Sequence, residues 1–180
     1  MPSSGPPERA ARTPHRPFLE RRVSTSPLFT ERLILRPWPS ADVAAAASGG
    51  RRPGWAPDFP ADGDRVVAGL LAAAPDPAAA RGHRQIVERS TGLVVGSIGL
   101  FLPPTDGAVE FGYGVVPSRR DRGYATEAAR AIVAFALAEP DVRTVRAGVE
   151  PANAASVRVL EKAGLSRLGT DGETDRYGTA

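Results

Sequence analysis

The sequence predicts an α+β domain, and three observations predict it. Between residues 84 and 116, short runs of alternating apolar and polar side chains are separated by links of only a few residues. From residue 123 the apolar spacing lengthens to that of a helix. Beyond Pro140, β-rich and helical segments alternate, so the last third has strand–helix–strand–helix–strand order.

Order is expected to begin at Thr30-Glu31-Arg32-Leu33-Ile34-Leu35-Arg36-Pro37, where Leu33 and Leu35 alternate with polar neighbours and Pro37 stops the strand. Ser40 is placed to cap a short helix over 42–47. Residues 49–63, rich in Gly, Pro and Asp, read as a loop that carries Trp55 and Phe59. A helix over 65–74 ends at Pro75 and Pro77. Strands follow at 84–89, 93–101 and 109–116, turned at Ser90-Thr91-Gly92 and over 103–107. Links this short make an antiparallel meander. In the helix over 123–139, Ala125, Ala128, Ala129, Ile132, Phe135 and Ala136 share one stripe. A strand at 142–149, a helix at 153–162 with Gly164 as its stop, and short strands at 165–168 and 175–177 complete the domain.

The chain of 180 residues is long enough for one core and too short for two. Its 42% apolar fraction includes 30 Ala, and only 45 residues are Val, Ile, Leu, Met, Phe, Trp or Tyr. Residues 1–28, dominated by Pro, Ser and Arg, are expected to form a disordered tail, and residues 29–180 the folded domain. No run approaches the ~20 apolar residues of a membrane span, and the N-terminus lacks an apolar stretch of signal-peptide length. A cytoplasmic location with no membrane association is the expectation. The absence of Cys excludes disulfides, thiolate nucleophiles and Cys-ligated metals. Neither His15 nor His83 has a second His or a carboxylate at ligand spacing, so no metal is expected.

The net charge of +3 invites a nucleic-acid reading. It belongs to the tail, where Arg9, Arg12, Arg16, Arg21 and Arg22 face only Glu8 and Glu20; the rest of the chain is balanced. A domain that grips phosphate backbones carries a basic face of its own. No specific nucleic acid is expected as a partner.

The chemistry concentrates in Val115-Val116-Pro117-Ser118-Arg119-Arg120-Asp121-Arg122-Gly123-Tyr124-Ala125-Thr126, which leads from a strand through a basic turn into a helix. A helix N-terminus has unpaired amides and a positive dipole end, both suited to phosphate. Gly123 permits close approach, Ala125 keeps the first turn uncrowded, and Thr126 adds a hydroxyl. An ordinary strand-to-helix turn with solvated arginines fits the same spacing. Downstream, Asn153 suits a helix N-cap with Ser156 as its capping partner, and Gly164 ends that helix.

Taken together these segments resemble the GNAT superfamily of N-acetyltransferases, whose pyrophosphate loop has the pattern Arg/Gln-x-x-Gly-x-Gly/Ala. Arg120, Gly123 and Ala125 match it. The wider text is similar to the branch containing the ribosomal-protein N-terminal acetyltransferases. The matching stretches are Thr30-Glu31-Arg32-Leu33-Ile34-Leu35-Arg36, Gly96-Ser97-Ile98-Gly99, Glu110-Phe111-Gly112-Tyr113, Gly123-Tyr124-Ala125-Thr126-Glu127-Ala128, and Asn153-x-x-Ser156 leading to Glu161-Lys162-Ala163-Gly164-Leu165. They span roughly residues 28–170 in order.

The resemblance implies a mixed, mostly antiparallel sheet flanked by helices on both faces. The strand ending at Val115 and Val116 would splay from the strand at 142–149 to admit the pantetheine arm of acetyl-CoA, the expected co-substrate. Amides of Arg122, Gly123, Tyr124, Ala125 and Thr126 would hold the pyrophosphate beside Arg120, and Asn153 would contact the pantetheine arm. A backbone N–H near Val116 would stabilise the charge that develops on the thioester oxygen. Glu110 is the candidate base for the attacking amine and Ser156 the candidate donor to the departing thiolate. The acceptor would be a small-molecule or peptide amine, handled by a monomer or homodimer, with a wall built from the first two helices. Two positions depart from the family pattern. Asp121 stands where Gly is common: either it turns outward and pairs with Arg119 or Arg122, or its charge beside the pyrophosphate lowers cofactor affinity. Leu160 stands where many members place a Tyr. A catalytically silent acyl-CoA-binding module is the competing expectation.

Overall fold

The computed structural model describes residues 26–73 and 82–180. Most of the segment expected as a tail, and the end of the helix expected over 65–74, lie outside them. Eight strands form one sheet: β1 (Leu28–Phe29), β2 (Leu33–Pro37), β3 (His83–Glu88), β4 (Val94–Thr105), β5 (Ala108–Val115), β6 (Thr144–Val149), β7 (Ser166–Asp171) and β8 (Thr174–Gly178). Their order across the sheet is β1-β2-β3-β4-β5-β6-β8-β7. Every neighbouring pair is antiparallel except β5 and β6, which run parallel. Among the described residues four helices accompany them: α1 (Ser40–Ala47), α2 (Asp62–Ala73), α3 (Tyr124–Leu137) and α4 (Ala154–Lys162).

Paired residues on neighbouring strands share a face, so the register sorts the side chains. One face carries Leu35, Ile86, Ile98, Leu100 and Phe111 beneath α3. The buried stripe of α3 is Ala128, Ala129, Ile132, Val133 and Ala136, at the helical spacing expected. The opposite face carries Arg36, Gln85 and Ser97, which α1 and α2 cover. Two carboxylates fasten those helices to the sheet. Asp42 of α1 accepts from Gln85 Nε2 at 2.9 Å and pairs with Arg52 at 2.8 Å. Asp64 of α2 accepts from the Ser97 hydroxyl and from the Ala61 amide at 2.9 Å. The Asp64 contacts cap the first turn of α2 from its third residue, which is why that helix starts at Asp62 rather than at residue 65.

Two further boundaries differ from the sequence reading. Ser40 makes no capping bond; Pro39 precedes α1 as its N-cap, and Ser40 is the first helical residue. β4 runs through Pro103 and Pro104 to Thr105 after a register shift, so the turn shrinks to Asp106 and Gly107. Trp55 and Phe59 belong to the core, 5% and 0% exposed, packed edge-on with ring centroids 5.1 Å apart. The end of α4 follows expectation. Gly164 adopts φ 92°, its amide donates to Glu161 O and that of Leu165 to Leu160 O, and Leu160 and Leu165 are both buried in the core.

His83 is buried against Phe101, the rings tilted 73°. Burial holds its imidazole below the ordinary histidine range by disfavouring the charged form. Below about pH 6.5 the unfolded chain takes up a proton that the fold resists, so this contribution to stability is complete above that pH and is lost as pH falls through it. Asp64, which burial pushes upward, acts in the opposite direction at lower pH. Denaturant titrations of the wild type and His83→Gln at pH 7.5 and 5.5 are expected to show a larger acid loss in the wild type. Parallel losses in both proteins remove His83 from the account.

Candidate active site

The opening in the molecule comes from the sheet itself. β5 and β6 pair only at Ala108–Thr144, Val109–Val145 and Glu110–Arg146. Beyond Glu110 the strands diverge, and the β6-facing edge of β5 from Phe111 to Val115 has no strand partner among the described residues. Alternation along β5 shows which backbone groups line this gap. The Val116 amide donates to Val95 O at 2.9 Å, so Val116, Gly114 and Gly112 turn their backbone groups toward β4. Val115, Tyr113 and Phe111 turn theirs toward the gap. The amide expected to come from near Val116 is therefore that of Val115. The Val115 carbonyl accepts from Arg120 Nε at 3.0 Å.

The gap opens toward the start of α3. A short 3-10 turn at Pro117–Arg119 leads into Asp121 at φ 59° and Gly123 at φ 76°, two left-handed residues flanking Arg122. The chain reverses there, and the Glu127 amide is the first to find its helical acceptor, Gly123 O at 3.0 Å. The amides of Tyr124, Ala125 and Thr126 precede it and have no intrahelical acceptor, the usual state of a first helical turn. A Cβ at Gly123 would stand 3.3 Å from Arg32 Nη2. The left-handed backbone also accounts for Asp121, since Asp tolerates that conformation better than most side chains. Asp121 is exposed and pairs with neither Arg119 nor Arg122 among the described residues. Both arginines approach Glu88 instead, at 3.5 and 3.7 Å.

Beside the first turn of α3 lies a groove of about 590 Å³ bordered by Thr30, Arg32, Gly123, Thr126, Arg130 and Lys162. Across the gap, Asn153 caps α4 by accepting from the Ser156 amide at 3.0 Å. The Ser156 hydroxyl has no hydrogen-bond partner among the described residues. Tyr113, on the α4 side of β5, directs its phenol to Ser156 O at 3.4 Å, and burial raises that phenol above its ordinary range. Sequence reading quoted Tyr113 but gave it no role; the available signal was its alternation with Gly112 and Gly114 in β5. Leu160 is buried and offers no hydroxyl to the gap.

Glu110 lies on the opposite face of β5, at the point where pairing to β6 stops. Both of its oxygens are engaged by Arg176 Nη1, at 3.3 and 3.4 Å, and Arg176 also holds Asp171 at 3.2 Å. These side chains, with Arg146 and Thr170, border a cleft of about 560 Å³. The gap is thus flanked by hydroxyls on one side and by a carboxylate on the other. No cluster of metal-ligating side chains occurs among the described residues, and no helix there is long and apolar enough to cross a membrane.

Residues 32–166 match the Acetyltransferase (GNAT) domain family, and the chain belongs to it. Members of this family use acetyl-CoA. Among curated proteins, "Probable N-acetyltransferase YjcK" of Bacillus subtilis (strain 168) is 36% identical over 90 residues, which cover 48% of this chain and 49% of that protein. The matched region thus spans about half the length of this relative. An acetyltransferase from Agrobacterium tumefaciens str. C58 superposes with a TM-score of 0.61 at 28% identity, covering 87% of this chain and 95% of the other. The ribosomal-protein-S5-alanine acetyltransferase from Vibrio fischeri shares the fold at the same TM-score of 0.61 and 14% identity, over 86% and 96% of the two chains. The mostly antiparallel sheet with its splayed pair agrees with the fold expected from the resemblance.

Proposed function

We propose that the protein is an acetyl-CoA-dependent N-acetyltransferase that delivers acetyl to a primary amine by direct attack within a ternary complex. One observation carries this reading: the gap between β5 and β6 opens toward the place where the free amides of α3 begin. A diphosphate suits the amides of Arg122, Gly123, Tyr124, Ala125 and Thr126, with Arg120 and the Thr126 hydroxyl beside them. The bare edge of β5 at Val115, with Val116 behind it, suits the amides of a pantetheine arm, and Asn153 meets that arm from α4. Gly123 supports the fit, because its left-handed backbone at φ 76° favours a residue without a side chain and leaves the loop amides uncovered.

The chain's own groups then divide the work. The Val115 amide polarises the thioester carbonyl, where negative charge develops during attack. The hydroxyls of Tyr113 and Ser156 stand where a departing thiolate can be hydrogen-bonded or protonated. Glu110 receives the ammonium proton on the acceptor side, through a water or after release of Arg176. The motif set supports the ribosomal-protein N-terminal branch, so a peptide α-amine is the first acceptor class, ahead of small-molecule amines. The enzyme acts as a cytoplasmic monomer or homodimer without metal, membrane or nucleic acid.

Free-thiol release from acetyl-CoA, followed over peptides with varied N-termini, polyamines and aminoglycosides, tests this reading. Amine-dependent release with intersecting initial-velocity lines is expected. Tight CoA binding with no turnover on any amine would instead establish a silent acyl-CoA-binding module.

A further inference from the structure

Glu88 ends β3 and is 3% exposed. Its carboxylate accepts from the Tyr124 hydroxyl and from Thr91 Oγ1, the latter at 2.6 Å. Arg119 Nε stands 3.5 Å away and Arg122 Nη1 3.7 Å away. Two of these four neighbours come from the loop between β5 and α3, and a third, Tyr124, is the first residue of α3. The hydroxyl contacts and the arginine charge hold Glu88 below the usual carboxylate range, so it is ionised at neutral pH.

The carboxylate is rigidly mounted. The Glu88 amide donates to Leu93 O at 2.9 Å and its carbonyl accepts from Gly92 at 2.8 Å, closing the β3–β4 hairpin beneath it. Arg89 fixes the neighbouring strand connection through Thr30 O and Glu31 O. A second carboxylate, Glu127, fixes the other side of the loop by gathering Thr30 and Arg32, and Arg32 Nη1 donates to Arg122 O at 2.8 Å.

The distances to the arginines matter. At 3.5 and 3.7 Å the guanidinium groups are attracted to Glu88 by charge, yet they are too far for good hydrogen bonds. Arg119 Nε, though buried, has no hydrogen-bond partner among the described residues. Arg119 is thus held with one buried donor unsatisfied, an arrangement that costs free energy, while Arg122 is half-exposed and keeps its donors open to an incoming acceptor. Resting on the reading of this loop as the diphosphate site, we infer that Glu88 is a positioning residue for that site. It anchors Tyr124 and keeps Arg119 and Arg122 gathered so that the loop's amides and guanidinium groups converge on a diphosphate ester.

Glu88→Gln removes the charge and keeps a carbonyl oxygen for one of the two hydroxyls, while the other meets the amide NH2 and accepts from it. The full-length variant is expected to show at least a tenfold rise in KM and Kd for acetyl-CoA. KM for S-acetylpantetheine, which lacks the diphosphate, is expected to be unchanged, as is kcat at saturating acetyl-CoA. Thr91→Val, which removes a single hydrogen bond to the carboxylate, serves as the milder variant if Glu88→Gln folds poorly, and is expected to shift the acetyl-CoA KM alone by a smaller factor. Equal KM changes for the two donors would assign Glu88 a merely structural role and overturn the inference. So would an unchanged acetyl-CoA affinity in a wild-type background that binds CoA. A wild type that fails to bind CoA overturns the proposed function first and this inference with it.

Discussion

Gly123→Glu is expected to abolish acetyl-CoA-dependent turnover and to weaken CoA binding by about 100-fold or more. Two independent terms add. Residue 123 adopts φ 76°, and a side chain in left-handed backbone costs about 1–2 kcal/mol. The new Cβ would also stand 3.3 Å from Arg32 Nη2, which must shift by a few tenths of an ångström against its pairing with Glu127. The second term is charge. A carboxylate about 5 Å from a diphosphate at an effective dielectric near 20 is repelled by about 3 kcal/mol, reduced by salt at this exposed loop. The sum comfortably exceeds the ~2.7 kcal/mol that corresponds to a hundredfold change. Gly123→Ala isolates the backbone term and should lose about tenfold, with no dependence on ionic strength beyond that of the wild type. Calorimetric titration with CoA, at low and high salt, separates the two. Wild-type affinity in the Glu variant would move the diphosphate away from this loop altogether.

The loop illustrates what was legible in the sequence. Gly123 stands out as a small residue at a strand-to-helix turn, and its left-handed φ of 76° accounts for it whether or not a ligand binds there, while the helix stripe from Ala128 to Ala136 announces itself by period. The meander from β2 to β5 was equally plain, since short links leave few alternatives. What escaped was everything fixed by distance across the chain. Glu88 and Tyr124 are 36 residues apart, and nothing local in Ile86-Val87-Glu88 sets this carboxylate apart from a solvated strand end. Which amide near Val116 faces the gap turns on a single β4–β5 register, which alternation alone leaves undetermined. Tyr113 was hidden for a related reason: its value depends on α4 lying over that face of β5. Ser40 failed as a cap because Pro39, whose extended backbone already ends the strand connection, takes the position itself.

Glu110→Gln is expected to lower kcat/KM by about 100-fold at neutral pH, within the range that a positioned base contributes. The size of the loss should track the acceptor. An alkyl amine near pKa 10.4 is almost wholly protonated at pH 7, whereas a peptide α-amine near 8 sheds its proton more readily. The variant's deficit should therefore be larger for lysine-like amines than for N-terminal ones, and should shrink for both as pH rises and solvent does the work. Arg176 sharpens the test, because its contact with both Glu110 oxygens must open or be bridged by water before the carboxylate can take a proton. Tyr113→Phe acts on the other half of the reaction. Its deficit concerns the departing thiolate, which is the same whichever amine attacks, so it should be indifferent to acceptor pKa and should fade as pH passes the ordinary thiol value near 8.5. The two profiles have different shapes because the two groups stand on opposite faces of β5. If Glu110→Gln tracks the wild type for every amine at every pH, deprotonation proceeds through water, and Glu110 is left as the half-exposed partner of Arg176 at the foot of the gap.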